Sequence, residues 1–182
     1  KNEKAHQIKI RIQHSRFLTL HTTNPLRSGK AKKMDQKVGA IPFDVKGEDI
    51  AVLFVTSVRR GRWILPKCDL QVRESQKKGS LRSAFEEAGV KGSILDQIPM
   101  TNVITKSDGV ATKNIAVTYY PLFVQEQFDE WPENNKRQRH WALLEGADKV
   151  TDREDFLRVI TQFASLKPLI LQHVKQKRAR QQ

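Results

Sequence analysis

Glu86 and Glu87 stand side by side near the end of a stretch, Glu74 to Val90, that reads as a loop running into a helix. Drawn at about 100° per residue from Ser83, such a helix puts Glu86 at about 300° and Glu87 at about 40°, while Leu81, Ala84, Phe85 and Ala88 cluster between about 100° and 200°. One side packs, and the other offers two acids with the neutral Ser83 between them. Magnesium is a hard ion that takes oxygen ligands and keeps several waters, so two carboxylates on one helix face suit it beside a substrate phosphate. Manganese is the alternative ion for the same ligands.

The surrounding residues resemble a known family. Glu74, Arg82, Glu86, Glu87, Gly89 and Val90 stand at the spacing of the Nudix box, the signature of hydrolases that cleave a nucleoside diphosphate linked to another group. Two box positions depart, with Cys68 where the family has glycine and Ser83 where it has glutamate. Arg62 to Lys67, Glu86 to Gly92, and the stretch from Asp129 through Trp131 to Trp141 resemble the diphosphoinositol-polyphosphate and diadenosine-polyphosphate hydrolase branch. The resemblance covers Lys37 to Phe163 and implies an α/β fold, a Nudix-type α/β/α sandwich with a mixed β-sheet. It also implies that Glu86 and Glu87 hold Mg2+ (or Mn2+) against a phosphoanhydride while water attacks phosphorus in line.

What the resemblance assigns to position 83 is a metal ligand that also serves as base. Ser83 offers a neutral oxygen, brings no charge and is a poor base near neutral pH, so metal binding and activity are expected to be reduced. A replacement carboxylate is sought in the acidic loop that carries Glu126, Asp129, Glu130 and Glu133. Glu74 and Arg82 are expected to tie loop to helix. Cys68 reads as a small inert hydrophobe; a left-handed backbone there would cost about 1–2 kcal/mol, and otherwise the loop has another shape. Without the box around them, adjacent glutamates on a helix are ordinarily a solvated face.

Several cations are candidates for the substrate phosphates. Arg59, Arg60 and Arg62 precede Trp63, and Lys67 opens the box loop; Arg62 and Lys67 are the substrate-binding candidates here, against the alternative of a solvated basic turn. Arg137 and Arg139 alternate in an expected strand before Trp141, and the resemblance places that stretch near the substrate. His140 has no His or Cys partner at ligand spacing, which argues against zinc.

Charge is uneven along the chain. Residues 1–37 carry a net +8 and residues 167–182 a net +5, so the ends account for the whole +13 and the intervening domain is neutral. A basic chain suggests nucleic acid, but here that signal belongs to the ends, where a solubilising role is the commoner one. One cysteine, Cys68, makes no internal disulfide, and no run reaches the roughly 20 apolar residues of a membrane helix. The expectation is a cytoplasmic protein that meets no membrane; the oligomeric state is left open. The chain opens on Lys1, so an upstream targeting sequence also stays open, and the basic, acid-poor start resembles a transit segment, although Asn24-Pro25 and Ser28-Gly29 look more like a linker.

Three segments are expected: a basic extension over 1–36 with one edge strand at Ile8, Ile10 and Ile12, then a linker; a Nudix domain over 37–166; and a basic tail over 167–182. Within the domain, alternation and β-rich runs predict strands at Val38–Phe43, Ile50–Val58, Trp63–Leu65, Ser93–Leu95, Met100–Ile104 and Ile115–Val124. Helices are predicted over the box between Ser75 as N-cap and Gly89 as terminator, over Glu145–Val150, and over Asp152–Leu166 with Phe156, Leu157, Ile160 and Phe163 on one face. Gly79 inside the box helix costs about 1 kcal/mol relative to Ala.

Three functions follow from these residues. The first is a divalent-metal pyrophosphohydrolase of a nucleoside or inositol polyphosphate, with activity reduced by Ser83 and Cys68. The second is a catalytically inactive Nudix domain that binds such a ligand, in which Ser83→Glu plus Cys68→Gly would create activity. The third is a nucleic-acid-associated protein acting through its basic ends, marked by salt-dependent binding that disappears with them.

Overall fold

The computed structural model describes residues 35–107 and 112–180. The alternation at Ile8, Ile10 and Ile12 lies outside the described residues. Strands β1 (Asp35–Lys46) and β2 (Asp49–Thr56) form an antiparallel hairpin, followed by β3 (Trp63–Ile64) and β4 (Lys67–Asp69). Helix α1 (Gln76–Ala88) leads into β5 (Val90–Ile94), β6 (Met100–Ser107), β7 (Thr112–Gln127) and β8 (Arg139–Leu143). A 3-10 turn (Leu144–Lys149) and helices α2 (Glu154–Ser165) and α3 (Lys167–Ala179) close the fold.

Strands β3, β2, β1, β7 and β5 run in that order across the sheet, with β4 also on β1, β6 on β7 and β8 on β2. Strand β1 runs parallel to β7, pairing Gly39 with Tyr119 and Phe43 with Phe123, and the other pairs are antiparallel, so the sheet is mixed. Successive side chains of a strand take opposite faces, and β1 uses both. A Cβ on Gly79 of α1 would lie 2.7 Å from Val38, whereas Phe43 meets Phe163 of α2 at 5.3 Å between ring centroids. Val38 and Phe43 are an odd number of residues apart, so α1 and α2 cover opposite faces: the expected α/β/α sandwich.

Helix α1 begins and ends where the sequence suggested. The Ser75 hydroxyl accepts from Lys78 N–H at 3.3 Å, and Gly89 caps the other end at φ 62°. A Cβ on Gly89 would lie 2.8 Å from the Trp131 ring, so both backbone and space require glycine. The buried face differs from the expected one. Gly79, Ser80, Ser83, Ala84, Glu87 and Ala88 are buried, while Leu81, Phe85 and Glu86 are only half-buried. Contact is made by small residues because α1 lies so close to β1: Ser80 donates to the Gly39 carbonyl at 2.8 Å, and any side chain on Gly79 would collide with Val38 and Leu70. That close approach is the return on placing glycine mid-helix.

Three further expectations need correction. Residues 167–179 are not a tail but helix α3, with Ile170 and Val174 buried one turn apart and Arg178 donating to the Val45 carbonyl at 2.7 Å. The basic residues hid this pair, and Lys177 and Arg178 in the last turn suit the negative end of the helix dipole. The segment after β8 forms a 3-10 turn rather than an α-helix. On α2 the fully buried set is Phe156, Val159, Ile160 and Phe163, with Leu157 half-buried at its margin.

Candidate active site on the box helix

The loop between β4 and α1 is fastened by one carboxylate and one guanidinium. Glu74 accepts from Arg82 Nε and Nη2, both at 2.8 Å, and from Gln71 N–H at 2.9 Å. Arg82 Nη2 also reaches the Asp69 carbonyl at 2.9 Å, and Nη1 reaches Glu86 Oε2 at 3.0 Å. The hydrogen bonds from Arg82, then the one from Gln71, hold the Glu74 carboxyl down to about 2 from its ordinary 4.5. Its stabilising contribution is therefore full above pH 4.5 and disappears as pH falls toward 2.

Cys68 sits in β4, opposite Val38, and donates its thiol to the Gly79 carbonyl at 3.3 Å. The backbone there is extended, since Arg73 is the one described non-glycine residue at positive φ. No left-handed strain arises, and the loop has taken another shape. Burial first, offset by Arg82, pushes the thiol up to about 11, which keeps it protonated and unreactive near neutral pH.

Glu87 projects from the last turn of α1 and is enclosed by chain from other elements. Its Oε1 lies 3.0 Å from Arg137 Nη2, and its Oε2 accepts Lys67 N–H at 3.2 Å. Side-chain exposure is 11 % for Glu87 and 9 % for Arg137. The same guanidinium gives Nε to Glu133 and Nη1 to the Thr56 carbonyl, the latter at 2.8 Å. Burial raises the Glu87 pKa, and Arg137 and Lys67 pull against that rise. Because a raised carboxyl favours the protonated form, this contribution is present below pH 4.5 and is lost as pH climbs through the folded value, opposite in sign to Glu74.

Ser83, one turn before Glu87, is fully buried and donates its hydroxyl to the Ser80 carbonyl at 2.9 Å. It lies within the helix packing rather than on an open acidic face. Lys67 carries its ammonium 5.0 Å above the Phe156 ring, which Arg153 flanks at 4.9 Å and Tyr119 meets at 6.2 Å. Arg62 is exposed at the turn before β3. Arg139 stacks on Trp131 at 3.9 Å and donates to the carbonyls of Phe128 at 2.7 Å and Ala88 at 3.3 Å, capping the end of α1.

The fold thus brings Glu87, Arg137 and Lys67 together, adds Glu133 from the acidic loop, and sets Glu86 with Arg82 and Glu74 on the adjoining side. Thr56, Tyr119, Arg153 and Phe156 were missed in the sequence, where nothing in their spacing connects them to the box.

Comparison with known proteins bears on this arrangement. No protein-family model matches the chain. Nudix hydrolase 18, mitochondrial, of Arabidopsis thaliana is 30 % identical over 147 residues, covering 74 % of this chain and 82 % of that protein. The chain belongs to the Nudix hydrolase family. Nudix hydrolase 21, chloroplastic, of Arabidopsis thaliana is 33 % identical over 116 residues, and there the match spans 57 % of the relative's own length and 62 % of this chain. Diphosphoinositol polyphosphate phosphohydrolase 3-beta of Bos taurus is 26 % identical over 129 residues, 70 % of this chain and 75 % of that protein. Among solved structures, Ap4A hydrolase of C. elegans superposes with a TM-score of 0.55 at 17 % identity, covering 73 % of this chain and 98 % of that one. The NUDIX domain of Shewanella oneidensis NrtR, complexed with ADP ribose, gives 0.52 at 18 % identity over 74 % of this chain and 88 % of that one. Likeness at this identity shows the Nudix fold.

Nudix hydrolases generally use divalent metal ions, and the donor set here fits one only sparingly. Among the described residues no group of three or more His, Cys, Asp or Glu is placed to hold an ion. Magnesium does not require such a cage, since one or two carboxylates and the substrate's phosphates suffice. Glu86 is 39 % exposed and engages Arg82 through one oxygen, and the burial that disfavours charge on Glu87 would be relieved by a nearby cation. These two side chains are the ones that would hold the ion.

Proposed function

We propose that this Nudix domain is a pyrophosphohydrolase cleaving the diphosphate linkage of a nucleoside or inositol polyphosphate, with its divalent ion held by Glu86 and Glu87. The observation that carries the reading is the retention of both carboxylates at the end of α1, with Arg82 fixed by Glu74 and Glu87 flanked by Lys67 and Arg137. The names of the bovine relative and the C. elegans neighbour support the substrate class. When bound, the ion supplies charge neutralisation at the phosphoryl oxygens. The chain's own part is positional: Glu74 and Arg82 fix the loop, Arg82 orients Glu86, and Arg62 and Lys67 offer cations to the phosphates. Glu133, from the acidic loop, is held on Arg137 beside Glu87.

A panel of diadenosine polyphosphates, dinucleotides and diphosphoinositol compounds tests this. Phosphate or nucleotide release from at least one compound, dependent on Mg2+ or Mn2+ and stopped by chelation, is the expected result. A panel without turnover overturns it. The second reading, a Nudix domain that binds such a ligand without cleaving it, is favoured by the buried Ser83 and by the ion pair on Glu87. It predicts saturable binding to the same panel with no product.

A further inference from the structure

We propose that Arg137 is a resident counter-ion of the metal site: its guanidinium competes with a divalent cation for Glu87 and sets how weakly this domain holds metal. The inference rests on the reading that Glu86 and Glu87 are the ligands, and it concerns what holds them before an ion arrives.

Both oxygens of Glu87 are engaged by the protein, Oε1 by Arg137 at 3.0 Å and Oε2 by Lys67 N–H at 3.2 Å. The backbone donor is compatible with a cation on the same carboxylate, because it occupies one lone pair and carries no full charge. The guanidinium opposes such a cation without excluding it, because a permanently charged group repels an ion approaching the same carboxylate. Nor is Arg137 free to step aside: it is nine-tenths buried, with Nε committed to Glu133 and Nη1 to the Thr56 carbonyl at 2.8 Å. Leaving would strand Glu133 and a backbone acceptor in a poorly hydrated place.

Glu86 shows the contrast. Arg82 spends Nε and much of Nη2 on Glu74, touches Glu86 through one nitrogen at 3.0 Å, and leaves that carboxylate 39 % exposed. Glu86 is thus the accessible ligand and Glu87 the one held against a charge. Two cations competing for one carboxylate are antagonistic by the same factor in either direction: metal loosens Arg137, and Arg137 weakens metal. A site with the neutral Ser83 nearby would then be weak for two separable reasons, a missing acid and a competing cation.

The test is Mn2+ affinity by calorimetry or electron paramagnetic resonance in the full chain. Arg137→Met keeps an unbranched apolar stem and removes the charged head, and should tighten Mn2+ binding by about tenfold, with Arg137→Lys falling between it and wild type. Equal or weaker binding by a folded Arg137→Met protein overturns the proposal. Should that variant fail to fold, the wild-type Arg137 Nε–Hε NMR resonance decides: a saturable shift on adding Mg2+, absent in Glu87→Gln, supports competition, and a resonance unmoved by excess Mg2+ overturns it. Turnover separates this from the functional reading. Wild-type turnover without tightening in the variant removes the counter-ion and keeps the enzyme, whereas tightening without any turnover does the reverse.

Discussion

Glu87→Gln will lower metal-dependent turnover by about a hundredfold or more, the equivalent of about 2.7 kcal/mol of transition-state stabilisation, because the amide cannot supply the charge an ion needs. The same substitution will change stability little. Removing one partner of a buried ion pair ordinarily costs about 3–5 kcal/mol, but Arg137 keeps Glu133 and the Thr56 carbonyl after losing Glu87. Glu87 itself is penalised by burial, as its raised pKa records, so the glutamine escapes that penalty. A net loss of about 1 kcal/mol is expected in urea unfolding. Full activity in Glu87→Gln would show that the ion is held elsewhere.

Ser83→Glu will destabilise the domain instead of completing its site. The family pattern invites the change, since a glutamate there restores the box. In the structure the position is fully buried, with the hydroxyl turned onto the Ser80 carbonyl and small residues packed on either side. A longer, charged side chain must overpack the contact between α1 and β1 or force the helix away from it. Either route costs about 3 kcal/mol, which for a domain of this size lowers the Tm by about 6–12 °C. Adding Cys68→Gly removes the thiol from the Gly79 carbonyl and loosens strand β4, for about 1 kcal/mol more. Thermal unfolding and turnover of the single and double variants check this together. A double variant as stable as wild type and faster would show that the missing acid alone restrains catalysis.

These two expectations part company at a place the sequence does not mark. The bounds of α1 were legible because capping is local: Ser75 and Gly89 carry their roles in their own side chains and dihedral angles. Most strands were legible through alternation and β-branched runs. The face α1 buries was not, because wheel geometry ranks residues by hydrophobicity, whereas this contact is set by how near the helix can come, and Gly79, Ser80 and Ala84 allow the nearest approach. Helix α3 was obscured for a related reason, its two buried residues being outnumbered by charges that belong to its solvent side. The partners in the site lie farther apart still. Glu87 and Arg137 meet because β8 pairs with β2 and so returns the residues just before Arg139 to the end of the box helix. Arg139, a substrate-binding candidate through the resemblance, is placed by the same return over Trp131, where it also donates to the Ala88 carbonyl at the end of α1. Pairings that depend on strand order leave no trace in local spacing.

Two carboxylates on α1, without a third at position 83, are expected to support metal-dependent cleavage of a phosphoanhydride. Phosphorus NMR of wild-type protein with the best-bound member of the substrate panel tests it most directly. With Mg2+ present, new phosphate resonances should grow at the expense of the diphosphate signal, and they should stop growing when a chelator is added. A diphosphate signal that persists unchanged through saturating ligand and metal would rule out cleavage and leave a binding domain in its place.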